Sequence, residues 1–123
     1  MKWFNFKRVD HTRENLAYLN KKVLLVNTRN GCLIAVSLIK QIKENTWDKD
    51  LCDSIISELI KLSKTSSPEL IKTQMFDSIQ SKIYALMKNV NEQDEKILES
   101  LAIQMWLFRK DFISLQQECF FIY

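Results

Sequence analysis

Along most of the chain apolar residues recur every three or four positions, the period of a helix that buries one side. The rhythm is longest near the end. Leu98, Leu101, Met105, Phe108, Phe112 and Leu115 step by 3, 4, 3, 4 and 3, and Cys119 and Ile122 prolong the stripe. Glu92, Asp94 and Glu95 fall in its first turns, where carboxylates meet the positive end of the helix dipole. The pattern predicts a helix from near Asn91 to beyond Leu115.

Upstream, Ser67-Pro68-Glu69 reads as an N-cap followed by proline at the first helical position. It predicts a helix from there to about Asn89, with a core face of Ile71, Met75, Phe76, Ile79, Ile83, Leu86, Met87 and Val90. Leu51, Cys52, Ile55, Ile56, Leu59, Ile60 and Leu62 give a further amphipathic helix, from a cap at Asp48 to Ser63. Thr12, Asn15 and the row Leu16, Leu19, Val23 and Val26, stepping by 3, 4 and 3, suggest another, from Thr12 to about Asn27. Around residues 23–36, in "VLLVNTRNGCLIAVSLI", β-branched runs flank an Asn-Gly pair, which is also a hairpin signal. A lone hairpin is marginal and nothing supplies a third strand, so two helices broken at Asn30-Gly31 are favoured, with a short β-hairpin as the alternative.

Helices joined by short links describe a bundle. The expectation is one all-α domain over residues 1–123, a bundle of about five helices. One glycine and one proline in 123 residues agree with this, because strand-rich folds and phosphate-cradling loops both need glycine. The greasiest run, "CLIAVSLI", is under half the ~20 residues of a membrane span, and "MKWFNFKR" is not a signal peptide. No membrane association is expected. Three widely spaced cysteines, Cys32, Cys52 and Cys119, fit a reducing compartment and read as small buried hydrophobes. A cytoplasmic location is expected.

The net charge of +3 is unevenly spread. Residues 1–30 hold seven basic side chains against two acidic, and residues 91–123 hold three against six. In the start, "KWFNFKRVDHTR", Trp3, Phe4 and Phe6 alternate with Lys2, Lys7, Arg8 and Arg13. Such a mixture can stack bases and hold phosphates, although terminal aromatics also tie a chain end to a bundle.

The last helix carries surplus apolar surface. With Leu98 at the origin of a helical wheel, Trp106, Ile103 and Leu107 fall near 80°, 140° and 180°, away from the seam. Either this helix is central and covered on two sides, or a partner covers it, since Trp, Met and Arg are enriched at interface centres. The favoured reading divides the face: Trp106 largely buried at the core's flank, with Ile103, Leu107 and Lys110 exposed. Arg109 falls within the apolar sector and is expected to reach water or a neighbouring carboxylate.

Catalytic equipment is not evident. His11 is the single histidine, no Cys or His spacing suits a metal, and the paired carboxylates lie on helix surfaces. No cofactor and no enzyme activity are expected. Fold class alone does not give function. What remains is a small protein that binds another protein, of the kind exemplified by immunity or antitoxin inhibitors that neutralise a toxin by direct contact. Trp47 with Asp48, Asp50 and Asp53, together with Glu44, and the face formed by Ile103, Trp106, Leu107 and Lys110 are the candidate contact residues. The acids could complement the basic site of a nuclease toxin. A small helical nucleic-acid-binding subunit using the basic start is the alternative.

Overall fold

A computed structural model describes residues 12–122, with side chains from 19 to 115. Four α-helices follow one another: α1 (Thr12–Lys43), α2 (Lys49–Ser63), α3 (Thr73–Met87) and α4 (Glu92–Ile122). A 3-10 turn, Pro68–Leu70, stands between α2 and α3, and the described residues contain no strand. Over the described residues the fold is all-α, with four helices rather than about five and no hairpin.

The difference arises at Gly31. Instead of breaking the chain, it lies inside α1 at the crossing with α4. A Cβ there would lie 2.7 Å from Phe108 Cζ and 3.1 Å from Gln104 Nε2. Glycine in a helix interior costs about 1 kcal/mol relative to alanine, and here its missing side chain lets two helices touch. The β-branched residues on either side serve two sides of one helix rather than two strands.

The start predicted at Ser67-Pro68 also moves. The Ser67 hydroxyl donates to the Glu69 carboxylate, and the turn ends after Leu70. Ile71 follows in extended conformation and is buried. Seating that side chain pulls the backbone out of helical geometry, so α3 begins at Thr73. Its buried face is Phe76, Ile79, Ile83 and Leu86, all members of the predicted face. α4 starts where expected: Asp94 N–H donates to Asn91 Oδ1 at 2.8 Å, a side-chain cap on the first turn.

Successive helices run antiparallel. The Glu58 carboxylate of α2 accepts from Ser78 Oγ at 2.6 Å and pairs with Lys82 Nζ at 2.7 Å, both on α3. Phe76 of α3 meets Phe112 of α4 with ring centroids 5.7 Å apart. The core between the four helices includes Cys32, Ile39, Ile42, Cys52, Ile55, Leu59, Leu98 and Met105. At one end Thr46 Oγ1 donates to Asn89 O at 2.7 Å, and Asn89 Nδ2 donates to Asp48 Oδ2 at 2.9 Å. Those bonds stitch the α1–α2 loop to the α3–α4 loop. The predicted cap at Asp48 is therefore only positional, because its carboxylate is turned to Asn89 and makes no capping bond.

α1 and α4 have 32 and 31 residues, and α2 and α3 have 15 each. At 1.5 Å per residue the long pair spans about 47 Å and the short pair about 22 Å. Arg29 Nε, on α1, donates to Ser63 O at the end of α2 at 3.2 Å. The part of α1 before Arg29 thus runs on beyond α2, alongside the last turns of α4. There the α2–α3 link touches it, through Lys21 Nζ and Glu69 Oε1 at 3.5 Å. Because α1 is continuous, Leu19–Lys43 is long and apolar enough, by length and composition, to cross a membrane. In the bundle 33% of its most apolar stretch is buried.

Candidate functional site

α2 and α3 each bury one stripe and show solvent a mostly polar one, Tyr84 of α3 being the large exposed exception. The two long helices are different: both carry apolar side chains on the side that faces away from the core. On α4, Leu98, Leu101, Ala102, Met105, Phe108 and Phe112 are buried, whereas Ile103, Trp106 and Leu107 are 54%, 46% and 46% exposed. The Lys110 ammonium stands 5.5 Å from the Trp106 ring centroid, a cation–π arrangement in which the cation leans over an indole face. Ile103, Trp106, Leu107 and Lys110 are spaced i, i+3, i+4 and i+7, so they form one continuous strip along two turns.

The strip corrects one expectation. Trp106 is not largely buried at the flank of the core; it shares the open face with Leu107 to the same extent. Arg109 behaves as expected, its Nε lying 2.9 Å from Asp77 Oδ1 on α3. Its apolar stem covers the α3–α4 seam while the charge is met at the edge.

The second predicted group is only partly available. Trp47 is 76% exposed in the α1–α2 loop, and Glu44 and Asp50 beside it are exposed. Asp48 is held by Asn89, and Asp53 Oδ1 lies 2.7 Å from Lys43 Nζ. Two of the proposed acids are therefore neutralised or bonded within the chain. Trp47 lies at the end of the bundle near the start of α4, and Trp106 is fourteen residues into α4, about 20 Å along the axis. The structure keeps the two groups apart as separate patches.

Leu19, Val23 and Val26, the periodic row that suggests the first helix, are 52%, 57% and 47% exposed, and Leu33 and Ile34 continue the open side at 50% and 61%. The buried side of α1 is Thr28, Gly31, Cys32, Ala35, Val36, Ile39 and Ile42. Where α1 outruns α2, a groove of about 300 Å³ opens between the long helices, lined by Asn20, Val23, Leu24 and Asn27 of α1 and Asp111, Ser114 and Leu115 of α4.

Cys32 and Cys52 are buried free thiols. Burial pushes the Cys32 thiol up to about 12 and raises Cys52 as well, so neither is a ready nucleophile. Among the described residues no group of three or more His, Cys, Asp or Glu is placed to hold a metal. His11 and the aromatic-basic start lie outside the described residues, as does any side-chain description of Arg13, Leu16, Cys119 and Ile122. No protein-family model, no characterised protein and no solved structure matches this chain.

Proposed function

We propose that this chain is a non-enzymatic protein-binding module of the cytoplasm and that the outward strip of α4 is its contact surface for another protein. The observation that carries this reading is the half-exposed Ile103, Trp106 and Leu107 on one side of a helix whose other side is fully packed. An indole and two branched aliphatics left in water forgo the burial that normally stabilises such side chains. A partner that covers them recovers it, and a central aromatic ringed by polar residues is the usual anatomy of an interface hot spot. Glu99, Lys96 and Lys110 provide that rim.

A narrower form of the proposal is an immunity-type inhibitor that neutralises a toxin by direct binding. The exposed Trp47 with Glu44 and Asp50 supports it as a second contact, on the charge-complementarity ground that acids at this end suit a basic target. Asp48 and Asp53 contribute less to such a contact, because Asn89 and Lys43 already engage them.

The test is chemical cross-linking in cells of origin, comparing the unaltered chain with Trp106→Asp after circular dichroism has verified that the variant folds. The expected result is a stoichiometric heterologous adduct that the substitution removes. An adduct of equal yield with both, or none with either, overturns the proposal. If the adduct is a toxin, it should lose its toxicity on addition of the unaltered chain alone.

A further inference from the structure

We infer that α1 is a dimerisation helix, pairing with α1 of a second copy in parallel through the seam Leu19, Val23, Val26, Asn30, Leu33 and Ser37. The inference uses another helix than the α4 proposal and does not rest on it.

The seam steps by 4, 3, 4, 3 and 4, a heptad rhythm, and its six positions fall within about 80° of one another at 100° per residue. Leu16 extends the same spacing in the sequence. Among the described residues this side is largely open: Leu19, Val23, Val26 and Leu33 are each about half exposed, Asn30 and Ser37 are exposed too, and only Val23 also borders the groove shared with α4. From Thr28 onward the opposite side is buried against α2 and α4. A corner helix of a bundle has no reason to carry an a/d stripe outward unless a helix lies there.

Residue identity selects the occupant. Val23, Asn30 and Ser37 take a positions and Leu19, Val26 and Leu33 take d, so a β-branched residue stands at a and leucine fills two of the three d layers, the composition nearer to two parallel strands. Asn30 takes the next a position. An asparagine inside an apolar seam is poorly matched by an apolar partner but well matched by the same asparagine of a second strand, and this pairing fixes both register and strand number at a cost in stability. A second copy supplies that asparagine automatically. The flanks agree: Lys22 and Arg29 border the seam on one side, Asn27 and Ile34 on the other. Parallel pairing sets the basic flank against the neutral one, whereas antiparallel pairing would set basic against basic. Because the bundle already holds α1 helical, the nucleation cost that makes short isolated coils marginal does not arise.

The experiment is sedimentation equilibrium of the full chain between about 1 and about 200 µM. A species of twice 14.6 kDa is expected. Val26→Glu, at the middle of the seam, should weaken the dimer about 100-fold or more and leave the helical signal intact. Should that variant fail to fold, Leu33→Lys makes the same test nearer the well-packed end. Leu19→Cys, oxidised, should yield a disulfide-linked peptide joining residue 19 of both copies. A monomer throughout this range, a dimer indifferent to the seam substitutions, or no 19–19 link would each overturn the inference. So would a monomer that instead binds phosphatidylglycerol vesicles through α1, since the face would then belong to a lipid surface.

Discussion

Gly31 lies where α1 meets the Phe108 ring, and its value is the volume it does not occupy. Alanine would gain roughly 1 kcal/mol of helix propensity but would drive a methyl into an aromatic ring, and overpacking of that kind costs about 1–3 kcal/mol. Gly31→Ala should therefore lower the free energy of urea unfolding by about 1 kcal/mol. In a Phe108→Ala background, where the ring is gone, the same substitution should become stabilising; a loss of equal size in both backgrounds would show that the contact is not the cause. Beside it, Cys32 is fully buried, and desolvation raises its thiol from the ordinary 9.0 to about 12. A raised folded-state value means that the neutral thiol favours folding below about pH 9, and that this contribution disappears as pH climbs towards 12. The urea midpoint of the unaltered chain should accordingly fall more steeply above pH 9 than that of Cys32→Ala, and parallel curves for the two would refute the assignment.

At the scale of elements, α2 and α3 are tied by Glu58, Ser78 and Lys82. Burial alone would raise the Glu58 carboxyl, but hydrogen bonds from Lys82 and Ser78 together with the Lys82 charge outweigh it and hold the group below its ordinary value. A depressed carboxylate stabilises the fold above its unfolded-state pKa, and the contribution is lost as pH falls through the lower folded-state value. The thermal midpoint should drop on acidification below about pH 4.5, and Glu58→Gln should drop less. Equal acid sensitivity would mean that the bond contributes nothing. The same elements explain what the sequence made legible. α2, α3 and the core seam of α4 could be read because each has one apolar stripe, and Asn91 with the acids after it marks the start of α4 clearly. α1 could not be read this way, since it has two apolar sides and the periodic one, Leu19-Val23-Val26, is the outward one. Periodicity identifies a face that something buries, and it does not say whether that something belongs to the same chain. Asn30-Gly31 misled for a related reason: a glycine chosen for helix crossing and one chosen for a turn are the same letter. The i, i+3, i+4, i+7 strip on α4 was visible, but the exposure of Trp106 depended on where α3 ends its cover.

Across the described residues the molecule is a short four-helix core with two long helices running beyond it, each bearing apolar surface that the other described residues leave open. On this account the outward strip of α4 serves binding and the outward seam of α1 serves self-pairing, both resting on a core that neither face helps to hold together. The most direct measurement is the unfolding free energy of the Ile103→Asp, Leu107→Asp double variant in urea. If the strip is surface, the two aspartates cost little beyond their poorer helix propensity and some partial burial, and a cooperative transition should survive with a loss of about 1–2 kcal/mol. If the strip is core, two unpaired carboxylates would have to be buried, and that would remove most of the 5–15 kcal/mol available to a domain. Loss of cooperative unfolding in this variant would contradict the account.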